Sequence, residues 1–161
     1  DTVGEKFRNY TKAESAAGPG RTEKINQTAA GLAINDYIAG KRSKESLNQI
    51  LGKTKFSIDY TSKVQTDAAD LKQKSWVNAL GAESDKLKES ITNNNVIRNV
   101  LIKKFEQPTH IITGFENESY SNIDSEDLKI GLNIVSYDGG KIIIEKITDT
   151  NVRPRTDLPI S

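Results

Sequence analysis

Residues 128–144, Leu128-Lys129-Ile130-Gly131-Leu132-Asn133-Ile134-Val135-Ser136-Tyr137-Asp138-Gly139-Gly140-Lys141-Ile142-Ile143-Ile144, decide how this chain is read. Leu128, Ile130, Leu132 and Ile134 alternate with Lys129, Gly131, Asn133 and Val135, the period of two that sends successive side chains to opposite faces of a strand. Ile142-Ile143-Ile144 is a compact β-branched run suited to a pleated, buried surface. Asp138-Gly139-Gly140 lies between them and supplies residues that tolerate the positive φ of a tight turn. The stretch therefore predicts a β-hairpin.

Working outward, the period is already two at His110–Phe115, where a strand puts His110, Ile112 and Gly114 on one face and Ile111, Thr113 and Phe115 on the other. Before Pro108 it is about 3.6. Val96, Ile97, Val100, Leu101 and Phe105 space out a helix that Pro108 terminates. Asn93-Asn94-Asn95 breaks it from an earlier helix that starts at Ser84 and buries Leu87 and Ile91. Val64, Ala68, Leu71, Trp76 and Leu80 make another helical stripe, which ends towards Gly81. Phe56, Ile58 and Tyr60 alternate as a short strand. Ser43 caps a helix that buries Leu47, Ile50 and Leu51 and stops at Gly52. Ile25, Ala29, Leu32, Ala33 and Tyr37 form the first helix, with Gly40 at its C′ position.

The expectation is an α+β fold: N-terminal helices followed by a small antiparallel sheet with a C-terminal β-hairpin. Residues 1–20 read as a flexible arm, 21–107 as the helical region, 108–150 as the antiparallel β region packed on the helices, and 151–161, with Pro154 and Pro159, as an extended tail.

Composition excludes several chemistries. The 161 residues contain no Cys, no Met and one His, at a mean hydropathy of −0.59. Without cysteine there is no disulfide, thiolate nucleophile, zinc finger or iron–sulfur cluster. A single histidine rules out HExxH. No window approaches the roughly 20 apolar residues of a membrane span. No GxGxxG or GxxxxGK[ST] phosphate loop occurs, so no nucleotide cofactor is expected. The absence of methionine, from position 1 onward, leads to the expectation of a processed or trimmed parent chain. An extracytoplasmic or particle-associated location goes with it.

Charge divides along the same boundary as the periods. Residues 1–105 hold 18 Lys plus Arg against 12 Asp plus Glu, net +6, and residues 106–161 hold 5 against 10, net −5. These halves read either as ordinary solvated surfaces or as opposed faces for a protein partner or self-association.

His110 is the one side chain that titrates near neutral pH without help. A metal-independent ribonuclease needs a base, an acid and a cation for the phosphate. His110 with Arg98, Lys103 and Lys104 could supply that set, with Lys129 or Lys146 from neighbouring strands. The bland reading is a half-buried strand histidine hydrogen-bonded to backbone. Over roughly residues 84–150 the layout, helices then sheet with one strand histidine, resembles small ribonuclease toxin domains of the barnase and colicin type. The resemblance is one of layout, with no motif matched residue by residue, and it implies an RNA-cleaving activity.

Glu116, Glu118, Asp124, Glu126 and Asp127 gather five carboxylates between two strands. They lack the EF-hand order and read as a solvated acidic loop, with no metal site expected. Asp70-Leu71-Lys72 and Asp127-Leu128-Lys129 satisfy a bare D-x-K of the metal-nuclease type, a pattern that chance supplies in so charged a chain. Lys41, Arg42, Lys44, Lys53 and Lys55 form a basic cluster without interleaved aromatics, the pattern of a solvated helix face. Asn9, Asn26 and Asn117 begin N-x-S/T sequons, meaningful only in a glycosylating host. The reading that follows is a non-catalytic structural or interaction module of an exported or particle-associated assembly, secreted, surface or virion. The alternative is a metal-independent RNA-cleaving toxin domain with His110 as general acid or base, the one case in which RNA is the partner.

Overall fold

The computed structural model describes residues 23–24, 28–60, 73–105 and 107–158. The arm read over 1–20 and the stripe from Val64 to Leu71 lie outside them. The elements are β1 (Glu23–Lys24), α1 (Ala29–Ile38), α2 (Lys44–Lys53), β2 (Phe56–Tyr60), a helical turn over 73–77, α3 (Asp85–Phe105), β3 (Thr109–Thr113), β4 (Gly131–Tyr137), β5 (Gly140–Thr148) and β6 (Asn151–Pro154). The class is α+β. The six strands form one sheet in chain order. Three pairings are antiparallel, β2–β3, β4–β5 and β5–β6, while β1–β2 and β3–β4 are parallel.

The Ser43 start holds, whereas Ser84, read as an N-cap, closes a 3₁₀ turn over Ala82–Ser84 that leads into α3, and Ile25 of the first stripe lies outside the described residues. Thr28 and Ser43 cap α1 and α2 by accepting from Gly31 and Ser46 N–H. After α1, Gly40 has φ +78, its N–H donates to Tyr37 O and the Lys41 N–H to Asp36 O, the paired bonds of a Schellman stop. The buried face of α1 is Ala30, Ala33 and Ile34, so Leu32, assigned to the stripe, stands exposed.

The asparagine break does not occur. α3 runs unbroken for 21 residues through Asn93-Asn94-Asn95, because two of these amides find partners away from the helix backbone they would otherwise compete for. Buried Asn94 donates to Ser90 Oγ (3.3 Å) and Ser136 Oγ (3.0 Å) and accepts from Lys141 Nζ (3.2 Å). Asn95 donates to Gln73 and accepts from Arg98 Nη1 at 2.5 Å. On the far side of the same helix Val96 and Val100, read as part of its stripe, are exposed.

The helices cover one sheet face. Phe56, Ile58, Tyr60 and Ile111 pack with residues of α1, α2 and α3, and Leu132, Ile134 and Ile143 pack with Ile97 and Leu101. The other face carries Ile112, Val135, Ile142 and Ile144. It is covered by the 17-residue connection that parallel pairing of β3 and β4 demands, which puts Phe115, Ile123 and Leu128 onto it. Two 3₁₀ turns, Tyr120–Asn122 and Ser125–Asp127, shape this connection.

Two glycines correct the faces read from alternation. Gly114 (φ +102) follows β3, so Phe115 joins Ile112 rather than Ile111. Gly131 (φ +117) opens β4, so Leu128 packs on the connection side, Leu132 on the helix side, and Ile130 between them is exposed. The hairpin turns at Asp138-Gly139, with Gly140 already paired to Tyr137. The start of the extended tail, Asn151–Pro154, pairs with β5 as a strand, and Leu158 beyond it is buried with Leu132 and Ile134.

Candidate functional site

On the connection side of the sheet, register lines up Asp59 of β2, His110 of β3, Asn133 of β4 and Ile144 of β5. Three polar side chains thus stand in a row on a face whose next row is Ile112, Val135 and Ile142. His110 is 5% exposed. Its Nδ1 meets Asp59 Oδ1 at 2.7 Å and its Nε2 meets the carbonyl of Ile130 at 2.8 Å. Carboxylate and carbonyl are both acceptors, so each ring nitrogen faces an acceptor and neither is turned to solvent. Burial pushes the Asp59 carboxyl up. The bond and charge of His110, with Ser57 and Lys129, overcome that and hold it below the usual carboxylate range.

The neighbours follow one pattern. Asn133 Nδ2 donates to Lys129 O (2.8 Å), Gly131 O (3.3 Å) and Ile144 O (3.1 Å), and its Oδ1 accepts from Lys129 N–H. Lys146, on the same face of β5, donates from Nζ to Ser125 O (2.8 Å) and Leu128 O (3.2 Å). Burial lowers its pKa against the pull of Asp149; Lys129 lowers it further, and Glu126 and Asp124 oppose. Asp124 and Asp127 complete a capping box around the Ser125–Asp127 turn. His110, Asn133 and Lys146 therefore clamp the carbonyls of residues 125–131 to the sheet, where a covering loop must find partners for its backbone. The acidic loop is only partly solvated: Asp124 and Asp127 are buried inside this clamp.

The candidate residues are not brought together. Lys103 and Lys104 lie exposed at the end of α3, with Lys104 Nζ 5.4 Å from the centre of the Phe105 ring. Arg98 is fully buried, its guanidinium 3.5 Å above the Tyr60 ring, with bonds to Asn95 and Asn99. Tyr60 and Asp59 are neighbours on β2 and point to opposite faces, so Arg98 and His110 lie on opposite sides of the sheet. Lys129 and Lys146 share the side of His110, Lys146 held on the two carbonyls just named. Among the described residues no group of His, Asp and Glu is arranged to hold a metal, and no helix is long and apolar enough to cross a membrane.

Sequence reasoning missed Asp59 as the partner of His110, although Phe56, Ile58 and Tyr60 on one face of β2 already put Ser57 and Asp59 on the other. It placed Glu116 in a solvated acidic loop, whereas the side chain is largely withdrawn from solvent. That carboxylate accepts the Gly114 N–H at 3.1 Å on each oxygen, and burial pushes it up to about 7. No family model, curated protein or solved structure matches this chain.

Proposed function

We propose that this chain is a non-catalytic structural or interaction module that works through its surface in an exported or particle-associated assembly. The observation that carries the reading is the engagement of His110: both ring nitrogens are used, one on Asp59 and one on the Ile130 carbonyl, at a nearly inaccessible position. A general acid or base must reach a substrate proton, and this ring is spent on holding a loop. Three further features support the reading. Val96 and Val100 stand one turn apart on the exposed side of α3, and the chain has no Cys or Met for an oxidising setting to attack. Opposed basic and acidic halves suit a protein partner or a second copy.

The test sets this reading against RNA cleavage. Total RNA incubated with the protein in EDTA is expected to stay intact, while light scattering at low and high salt is expected to find a salt-sensitive assembly. RNA cleavage lost in His110→Ala would overturn the module and install the toxin reading.

A further inference from the structure

A cleft of about 250 Å³ lies where the first turns of α3 meet the β4–β5 turn, and Glu116 forms part of its wall beside Ser90, Asn93 and Ser136. Its floor is built, since buried Asn94 ties Ser90, Ser136 and Lys141 together. Charged and titratable groups line the same cleft from each packed element: Lys86 and Glu89 from α3, and Tyr137, Asp138 and Lys141 from the hairpin. On its own segment is Glu118, bridged to Lys55 at 3.0 Å. Both lysines of the cleft are occupied by amide oxygens, Lys86 on Asn117 Oδ1 (2.8 Å) and Lys141 on Asn94 Oδ1 (3.2 Å). Among the described residues no cation pairs with Glu116. The Gly114 N–H sits equidistant from both carboxylate oxygens, on the edge that a guanidinium would need for a two-point fork. A compact ammonium needs only one oxygen and can use the lone pairs off that edge.

We propose that this cleft takes a primary ammonium, the side chain of a lysine presented by a partner protein, with Glu116 as its counter-charge and Ser90, Ser136 and Asn93 as further acceptors. The proposal rests on the interaction-module reading and gives its partner a chemistry. Burial holds Glu116 near 7, against the Gly114 N–H and its own backbone N–H, while Glu118 adds repulsion. Glu116 is therefore mostly charged and open to a cation at pH 8 and mostly neutral at pH 5.5.

The experiment is an NMR titration of the full chain with N-acetyl-lysine methylamide. At pH 8 saturable shifts are expected at the Gly114 amide and at Ser90 and Ser136. At pH 5.5, and in Glu116→Gln at pH 8, the dissociation constant should rise at least tenfold. The probe acetylated on Nζ should not bind, and its arginine counterpart should bind more weakly. Undiminished saturation in Glu116→Gln, or shifts confined to Glu89 and Asp138, would overturn the site. The pH comparison uses the wild-type chain and stands even if Glu116→Gln folds poorly. Probe binding that needs Glu116 upholds the site whatever the light scattering reports. A partner that binds wild type and Glu116→Gln equally well overturns the site and leaves the module standing.

Discussion

Asp59 and His110 are 51 residues apart in the chain and 2.7 Å apart across the β2–β3 ladder, and the Nε2 of the same ring reaches on to the carbonyl of Ile130. One side chain thus links an inner strand to the loop that covers the sheet. Removing one member of a buried pair leaves the other unsatisfied, at a cost of about 3–5 kcal/mol. His110→Ala should lose stability on that scale, read as a lower urea midpoint at constant slope. Asp59→Asn in the His110→Ala background should cost much less than Asp59→Asn alone, because the pair is already broken. Additive costs in that cycle would mean the two residues are not coupled.

The pH dependence has two limbs of opposite sign. The Asp59 carboxyl lies below its ordinary 3.8 in the folded chain, so its contribution is complete above that value and is lost as pH falls through the depressed one. The Glu116 carboxyl lies at about 7 against 4.5, so the folded chain holds a proton that the unfolded chain has released. Stability should therefore fall as pH rises from 4.5 to 7, by at most about 1.4 kcal/mol per pH unit. Glu116→Gln should flatten that limb and leave the acid limb of Asp59 in place. Urea unfolding at half-unit pH steps measures both, and an unchanged slope between 4.5 and 7 in Glu116→Gln would refute the assignment.

Two glycines with similar backbone angles should respond differently to alanine. At Gly139 (φ +106) an added Cβ meets nothing within 4 Å, whereas at Gly131 (φ +117) it would lie 2.4 Å from the carbonyl oxygen of Pro108. That carbonyl already accepts the Leu132 N–H at 2.9 Å and cannot simply withdraw. Gly139→Ala should cost about 1 kcal/mol of backbone strain and Gly131→Ala clearly more, about 2–4 kcal/mol. Equal losses in melting temperature would mean that Pro108 yields.

What the sequence made legible was what local pattern controls. The hairpin, the strand at Phe56–Tyr60, the caps at Ser43 and Gly40 and the α+β class all rest on contacts between near neighbours or on one residue's backbone preference. Illegible were the features decided by distant partners. Asn94 looks like a breaker until Ser136 and Lys141, more than 40 residues away, satisfy its amide. The parallel pairing of β3 and β4 leaves no mark in either strand, since its cause is the long covering connection. Arg98 reads as a phosphate-binding partner of His110 until Tyr60 receives its guanidinium on the other side of the sheet.

The hairpin isoleucines separate the two cores. Ile143 and Ile144 are both fully buried, Ile143 under α3 with Leu132 and Ile134, Ile144 under the 114–130 connection with Phe115 and Leu128. Each substitution to alanine should cost about 2–5 kcal/mol in global stability, set by how far the cavity can relax. The local consequences should differ. Ile144→Ala removes packing from a connection otherwise held by the His110, Asn133 and Lys146 bonds, so amide exchange should accelerate there, at Ile123 and Leu128, before it does in α3. Ile143→Ala should instead loosen Ile97 and Leu101. The same pattern of exchange for both variants would contradict two cores on opposite faces, and unmoved melting temperatures would contradict the hairpin itself.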